Sequence, residues 1–278
     1  MTAYDIAGDR PQQRRRWDLP ALSARRIRLR GFLPFAVPTF LVLIWQIFSW
    51  AGWISTRVMP APTDVAVAFV DQLLSGALVH NVAVSGTRAL AGLVVGGTIG
   101  LLIGIANGIS KLSEQLTDTS LQMLRTIPHL AMIPLVILWF GIGEESKLFL
   151  TSLGVLFPVY LNTFHGVRNV DRELIEMGRI YGMNGWTLFR KVILPGALPS
   201  IFVGLRYALG IMWLTLIVSE SIAASSGIGH MANQAREFMM TDVVVLSLLI
   251  YAVLGKLADV IARAMERHAL SWNPVYQK

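Results

Sequence analysis

Charged residues are scarce in this chain of 278 residues. Asp, Glu, Lys and Arg together make up 15% of the sequence, whereas 54% of it is hydrophobic. A soluble domain carries roughly 25% charged residues, because water has to solvate its surface. The chain has too little charge for a surface that meets mainly water. The composition therefore predicts a membrane protein.

Cysteine is absent altogether. Its absence excludes disulfides, thiolate metal sites and cysteine nucleophiles. His129 has no carboxylate or second histidine at ligand spacing, so we expect no metal site. The S-G-I-G segment at 226–229 faintly resembles the serine loop of a membrane protease, but no partner histidine is well placed on another buried helix.

A phosphate-binding loop is missing as well. No G-x-x-x-x-G-K-[ST] occurs, and Gly255-Lys256 is followed by leucine and lacks the upstream glycine. Such a loop cradles the phosphates of ATP in the ATPases that carry it. We therefore expect that the chain is not an enzyme and that it binds no cofactor of its own.

Six stretches are long and apolar enough to cross the ~30 Å hydrocarbon core of a bilayer, which takes about 20 residues. These stretches are 32–53, 83–108, 121–141, 148–166, 198–223 and 243–265. The first is too long for a signal-peptide core and no cleavage pattern follows it, so we expect it to be retained. The sequence thus predicts an all-α, polytopic protein with about six transmembrane helices in 32–266, a basic tail at 1–31 and a second tail at 267–278.

The net charge of +7 has two explanations, nucleic-acid binding and membrane orientation. With the N-terminus inside, 18 of the 24 Lys and Arg residues fall in inner loops and tails, and 3 lie in or beside outer loops. This asymmetry is typical of the positive-inside rule. We therefore expect both termini in the cytoplasm and no role in nucleic-acid binding. The arginine-rich tail would lie near anionic lipid or dock on a partner.

Five glycines repeat at every fourth position of the second span. They are Gly92, Gly96, Gly100, Gly104 and Gly108. Residues at this spacing share one face of a helix, and in lipid small residues let two helix backbones approach closely. The stripe therefore predicts that another helix packs against this face.

Three charged residues, Arg88, Arg206 and Glu220, are predicted at membrane depth. A charge at the bilayer centre costs about 2.5–3.5 kcal/mol, so such groups tend to line a pathway or to pair with each other. Arg206 and Glu220 are roughly 21 Å apart along one helix and cannot pair within it. The alternative is that both side chains extend toward the membrane interfaces.

The third span carries Pro128 and Pro134, and each proline frees a backbone carbonyl within the membrane. A helix broken in this way can line a cavity, and it can equally be a plain kink. Arg125 and His129 lie on either side of the first proline. The sequence leaves the two alternatives open.

The segment 167–197 is the longest predicted inner loop. Its acidic start favours a first short helix, which Gly182 ends. A second short apolar helix is predicted to carry Trp186 and Phe189, so that two helices project into the cytoplasm. Exposed aromatic side chains there indicate either a partner protein or contact with the lipid interface.

This loop resembles the cytoplasmic signature of the permeases of binding-protein-dependent ABC importers. That signature is E-A-A, three residues, glycine, nine residues and I-x-L-P. Its Glu, Gly, Leu and Pro stand in register here as Glu176, Gly182, Leu194 and Pro195. The sequence departs from the pattern in having M-G for the two alanines and valine for isoleucine.

Other stretches extend the resemblance over nearly the whole chain. The segments 128–143 and 157–163 (F-P-V-Y-L-N-T) are similar to the nitrate/sulfonate/taurine branch of these permeases. The segments 213–220, 235–238 and 272–276 (W-N-P-V-Y) are similar to aliphatic-sulfonate permeases. The resemblance implies a type I ABC importer permease fold in a bacterial cytoplasmic membrane. It also implies import of a small organic anion, with aliphatic sulfonates first and taurine, nitrate or another small organic acid as alternatives.

The resemblance also implies partners. Two permease chains pair in the bilayer, two cytoplasmic ATPase subunits bind ATP and Mg, and a periplasmic or lipid-anchored protein delivers the substrate. The loop residues expected at the ATPase contact are Glu176, Gly178, Gly182, Trp186, Phe189, Arg190, Leu194 and Pro195. A secondary carrier or channel is the alternative class. It would usually show internal repeats, and none is evident in the sequence.

A small sulfonate is an anion, so cations within the spans are candidates for its path. Arg125 comes first, because it lies one turn before Pro128 on the span that the prolines break. The other cationic candidates are Arg88 and Arg206, and His129 and the acid Glu220 are further polar candidates on these spans. The alternatives for Arg125 are a salt bridge to Glu114 or Asp118 and extension to the inner interface.

Overall fold

The computed structural model describes residues 23–55 and 58–273, with side chains from residue 36 onward except that of residue 223. Most of the predicted tail 1–31 and the last five residues lie outside this part. The described chain is built of helices joined by short turns. In chain order they are α1 (Ser23–Trp50), α2 (Pro62–Leu74), α3 (Ala77–Ile109), α4 (Lys111–Thr126), α5 (Ile133–Phe140), α6 (Glu144–Arg168), α7 (Arg172–Ile180), α8 (Gly185–Leu188), α9 (Leu194–Ala223), α10 (Ile228–Glu237) and α11 (Thr241–Ala269).

Several described helices are long and apolar enough to cross a membrane. Four qualify alone, namely α3, α6, α11 and the continuous helix Gly185–Ile222, which includes α8 and all but the last residue of α9. A bent pair, made of α4 and the segment His129–Phe140, is a fifth candidate. With α1, whose apolar part is Ala36–Trp50, they follow the order of the six predicted spans. The predicted fold class, an all-α polytopic membrane protein, is confirmed.

The third predicted span, 121–141, is not one straight helix. α4 and the segment His129–Phe140 meet at an angle of 81°. Ile127 and Pro128 separate them in extended conformation, because a residue that precedes proline is pushed out of the helical region. The break that the prolines predicted is therefore a sharp bend, and α4 begins well before the predicted span.

The sequence indicated that the second helix of the inner loop is separate from the fifth span. In the structure the two are continuous. α8 passes through a π-helical segment, Phe189–Ile193, directly into α9. The N–H of Leu194 donates to the carbonyl of Phe189, five residues back, just before Pro195. This wider turn accommodates the ring of Pro195, which would meet a carbonyl in a regular α-helix. One helix therefore continues from Gly185 to Ile222.

The glycine stripe of α3 lies directly against α6. A methyl group added to any of its five glycines would come too close to atoms of α6. At Gly96 it would collide with the carbonyl oxygen of Ser152, and at Gly104 it would lie 2.8 Å from that of Tyr160. The two backbones therefore approach each other along the whole stripe. α9 packs against this helix pair.

A buried apolar cluster joins α2, α10 and α11 at the end of the bundle opposite the inner loop. Its members include Val65 and Ala68 of α2, Ile228 and Met231 of α10, and Leu246 of α11. α10 also packs on α9. The cluster therefore fixes the S-G-I-G segment, at the start of α10, beside the end of α9 that carries Glu220.

Candidate coupling loop and intramembrane charges

Local hydrogen bonds fix both ends of α7. The side chain of Asp171 accepts a 2.9 Å hydrogen bond from a backbone N–H of the first turn. At the other end Gly182 has φ +75°, the left-handed conformation that favours glycine. Its N–H donates to the carbonyl of Arg179 at 2.9 Å, and the N–H of Met183 donates to that of Gly178 at 3.1 Å. These two bonds form a Schellman motif, which ends α7 where the sequence predicted.

Gly178 occupies the position of the second alanine in the ABC importer signature, and it is buried. A methyl group there would lie 2.6 Å from Cδ1 of Leu188. An alanine at this position would therefore require the side chain of Leu188 in α8 to shift, whereas glycine does not.

The inner loop exposes an apolar surface, which we call the loop patch: Leu174, Met177, Ile180, Tyr181 and Trp186. Ile180 is 85% exposed, Tyr181 77% and Trp186 69%. Charged residues surround the patch, because Glu176, Arg179 and Arg190 are exposed as well. An exposed apolar patch with a polar rim is typical of a surface that contacts a partner or a membrane.

The aromatic pair of the loop differs from expectation in one respect. Phe189 is half-buried and stacks on Trp186 with ring centroids 5.7 Å apart. The prediction that both rings are exposed is therefore right for Trp186 and wrong for Phe189. The signature residues Leu194 and Pro195 are also half-buried, at the start of α9.

Glu220 is completely buried near the end of α9 opposite the inner loop. Four groups donate hydrogen bonds to its carboxylate: Ser85 Oγ at 2.8 Å, Arg88 Nη1 at 2.8 Å, the N–H of Gly229 at 3.0 Å and Tyr251 Oη at 2.9 Å. A buried carboxylate is tolerated only where it is paired and hydrogen bonded. The alternative that Glu220 extends to an interface is therefore wrong, because its charge is compensated inside the bundle.

Arg88 links Glu220 to a second carboxylate. Its Nε and Nη2 each lie 2.6 Å from an oxygen of Glu144, in a bidentate pair, and its Nη1 donates to the carbonyl of Ser226 at 2.7 Å. Lys147 Nζ also contacts Glu144, at 3.0 Å. We call this network the Arg88 cluster: Ser85, Arg88, Glu144, Lys147, Glu220 and Tyr251. It ties α3, α6, α9 and α11 together, and its two glutamates come from helices far apart in sequence.

The S-G-I-G segment supports the Arg88 cluster. Gly227 has φ +109°, and a methyl group there would lie 2.5 Å from the carboxylate of Glu220. The N–H of Ile228 donates to Ser85 Oγ at 2.9 Å. The backbone of the segment therefore surrounds the buried acid, and Ser226 Oγ accepts a 3.2 Å hydrogen bond from Arg88 Nη2. No local sequence pattern pointed to this role.

Arg206 and His129 have partners elsewhere in the bundle. Arg206 Nη1 lies 3.1 Å from Glu266, and its Nε lies 3.8 Å from Asp259, both on α11. His129 Nε2 lies 3.0 Å from Thr215 Oγ1 on α9, so the bend in the third span contacts the long helix. The structure therefore places these two candidates of the substrate path in separate contacts, apart from Arg88 and Glu220.

Arg125 is exposed in the last turn of α4, beside the bend. The two acids proposed as its salt-bridge partners are engaged elsewhere, because Glu114 pairs with Arg168 and Asp118 accepts a 2.5 Å hydrogen bond from Tyr160 Oη. Within the described residues no acid pairs with Arg125. Among the three arginine candidates, Arg88 and Arg206 have acidic partners, whereas Arg125 has none within the part of the chain that the structure describes.

Known proteins provide an independent comparison. The family described as binding-protein-dependent transport system inner membrane component matches residues 96–270. SsuC of Escherichia coli (strain K12), named as an aliphatic sulfonates transport permease protein, is 57% identical over 243 residues, which cover 87% of this chain and 92% of SsuC. The SsuC of Bacillus subtilis (strain 168) is 45% identical over 249 residues, covering 90% of this chain and 89% of that protein.

A solved structure extends the comparison to the fold. A chain of an amino acid ABC transporter superposes with a TM-score of 0.55 at 18% identity, covering 73% of this chain and 96% of that one. The likeness confirms the type I ABC importer permease fold. The family match spans more than half of the chain and includes the inner loop, α9 and α11. The chain therefore belongs to the binding-protein-dependent transport system inner membrane components, the integral membrane permease subunits of ABC importers.

Proposed function

We propose that this chain is the permease subunit of an importer that carries aliphatic sulfonates into the cytoplasm at the expense of ATP. The observation that supports the substrate class is the 57% identity to SsuC over 87% of the chain. Residues 32–266 would form the transmembrane permease domain, with 167–197 as the loop that couples it to ATP hydrolysis. Two copies of the chain would form the translocation unit.

The loop patch is the proposed contact with the ATPase subunit, which would itself bind ATP and Mg. Its exposed apolar side chains fit a protein partner, and a pocket of about 230 Å³ beside them is lined by Met177, Tyr181, Pro195 and Trp272. Trp186 lies in the first turn of the helix that continues through the bundle from Gly185 to Ile222. Movement of the ATPase would therefore be transmitted to the span through one continuous element.

The positive-inside asymmetry supports an orientation with both termini in the cytoplasm. The Arg88 cluster then lies toward the periplasm, where a periplasmic or lipid-anchored binding protein would deliver the substrate. Arg125 lies on the opposite side of the third-span bend. We propose Arg125 as a contact for the sulfonate group on its way to the cytoplasm.

Reconstitution of the complete transporter tests the proposal. The chain, its companion ATPase and its companion binding protein are placed in proteoliposomes, and uptake of labelled pentanesulfonate, taurine and nitrate is followed. We expect uptake that requires ATP and that is fastest for the alkanesulfonate. A catalytically dead ATPase is the control. Preference for taurine or nitrate would overturn the substrate class, and uptake without ATP would point to a carrier or channel instead.

A further inference from the structure

A basic pocket of about 520 Å³ lies between α9 and the last four turns of α11. Its lining residues are Arg206, Lys256, Val260, Arg263, Glu266 and Arg267. This pocket is distinct from the Arg88 cluster and from the loop patch. The proposed function assigns it no role.

The charges of this pocket do not cancel. Four cations line it, and the nearby carboxylates are Asp259 and Glu266, which leaves a net charge of +2. Asp259 is shared, because it lies 3.8 Å from Arg206 and from Lys256 and also contacts Arg263. The side chains of Lys256 and Arg263 are 68% and 48% exposed. The pocket therefore presents open positive charge to an anion.

The cations continue an apolar stripe on the same face of α11. Residues 249, 253, 256, 260, 263 and 267 follow each other at intervals of four and three, which places them on one side of the helix. All six are exposed. Leu249 and Val253 line an apolar groove of about 560 Å³ formed with α1 and α2. Along this stripe Leu249 and Val253 are apolar, Lys256, Arg263 and Arg267 are basic, and Val260 lies among the cations.

The dimensions of this stripe match one leaflet of a bilayer. Val253 and Arg263 are about 15 Å apart along the helix axis, at a rise of 1.5 Å per residue. One leaflet contributes half of the ~30 Å hydrocarbon core. A headgroup phosphate at Arg263 would therefore place its acyl chains along Val260 and Val253, past the aliphatic stem of Lys256, whose ammonium reaches toward Asp259 on the headgroup side.

We propose that this pocket binds the headgroup of an acidic phospholipid of the inner leaflet. The assignment to that leaflet rests on the orientation given under the proposed function. Other occupants fit less well. The arginine-rich tail carries charge of the same sign as the pocket and would be repelled by it. A second copy paired through this face would bring two net positive pockets together. A soluble anion would make no use of the adjoining apolar stripe.

Lipid binding to the purified full-length chain tests the proposal. Phosphatidylglycerol and phosphatidylcholine with identical acyl chains are titrated in mild detergent, and bound lipid is counted by native mass spectrometry alongside the thermal unfolding temperature. We expect phosphatidylglycerol to bind and to raise the unfolding temperature, and phosphatidylcholine to do neither. The triple variant Lys256→Gln/Arg263→Gln/Arg267→Gln should bind about 100-fold more weakly, since each cation contributes about fivefold to attraction by an anionic lipid.

The control variant is Lys111→Gln/Arg172→Gln/Arg179→Gln, which removes three exposed cations elsewhere on the same side of the bundle. It should bind phosphatidylglycerol like the unaltered chain. Arg206 is left in place because it pairs with Glu266. If the triple variant does not fold, the single variant Lys256→Gln replaces it, and it should bind phosphatidylglycerol about fivefold more weakly than the unaltered chain.

Three outcomes would overturn the proposal. The first is equal binding of phosphatidylglycerol and phosphatidylcholine. The second is an equal loss of phosphatidylglycerol affinity in the two triple variants. The third is that inorganic phosphate raises the unfolding temperature as much as phosphatidylglycerol does, which would indicate a soluble-anion site. The assay needs neither ATPase nor sulfonate. Failed sulfonate uptake with intact lipid selectivity would therefore count against the proposed function alone.

Discussion

Arg88 and Glu220, which are 132 residues apart in the sequence, form an ion pair of 2.8 Å in which the carboxylate is fully buried. The pair joins α3 to α9, and Glu144 extends it to α6. Breaking a buried ion pair leaves an uncompensated charge, which is costly even where the intact pair contributes little. The contact therefore constrains how these three helices can be arranged.

Removal of Arg88 tests this constraint. Arg88→Met is expected to lower the free energy of unfolding by about 3–5 kcal/mol, because the Glu220 carboxylate is left without its cation. Adding Glu220→Gln removes the orphaned charge and should recover part of that loss. Unfolding in detergent measures the free energy of both the single and the double variant. The control is Arg236→Met, because Arg236 is an exposed arginine of α10. If the costs of the two substitutions simply add, the two residues are not coupled.

Neighbouring glycines on α3 make a matched pair for the helix contact. Gly96→Ala places a methyl group against the carbonyl oxygen of Ser152 and should cost about 1–3 kcal/mol, as overpacked cores do. Gly97→Ala meets only Val155 at 3.9 Å and should be neutral or stabilising by about 0.5–1 kcal/mol, since alanine favours the helix. Thermal unfolding distinguishes the two. Equal behaviour of both variants would contradict the close approach of α3 and α6.

Gly182 is predicted to be required for coupling because of its left-handed backbone. Gly182→Val forces a β-branched residue to φ +75° and should leave the protein in the membrane while uptake no longer follows ATP hydrolysis. Gly182→Asn tolerates this conformation and should retain activity. Gly185→Val, at a nearby glycine with open space and ordinary φ, is the second control. Uptake by Gly182→Val at the normal rate would reject the prediction.

Arg125 is predicted to contact the substrate. Arg125→Gln should abolish uptake at normal expression, with ATPase assembly and stimulation intact, because the passing anion loses its cation. Lys111→Gln, at the other end of α4, is the matched control and should transport normally. Unchanged uptake by Arg125→Gln would exclude the role in the path. A variant that fails to assemble would assign Arg125 to structure instead.

The orientation is predicted by the charge asymmetry and can be measured directly. A reporter fused after Val170 should be active in the cytoplasm, and one fused after Ser55 should be active outside. The physical reason is that Lys and Arg in short loops resist translocation. The reverse pattern would contradict the orientation, and with it the assignment of the loop patch to the ATPase.

The sequence predicted those features that depend on local periodicity. Apolar length indicated the spans, the four-residue spacing of Gly96 and its neighbours indicated a packing face, and Gly182 marked the end of α7. It did not predict the Arg88 cluster, because pairing between Arg88 and Glu220 depends on how distant helices pack. Pro128 showed that the third span breaks, but backbone chemistry alone allows either a mild kink or the observed bend of 81°.

The π-helical join between α8 and α9 makes the second helix of the inner loop and the fifth span one continuous rod. The helix Gly185–Ile222 has 38 residues, and at 1.5 Å per residue it is about 57 Å long. A tilt of about 5° around its midpoint would move each end of such a rod by about 2.5 Å in opposite directions, close to the length of a hydrogen bond. Trp186 is at one end and Glu220 near the other. A displacement too small to disturb the packing of the midsection would thus be enough to stretch or break the contact between Glu220 and Arg88.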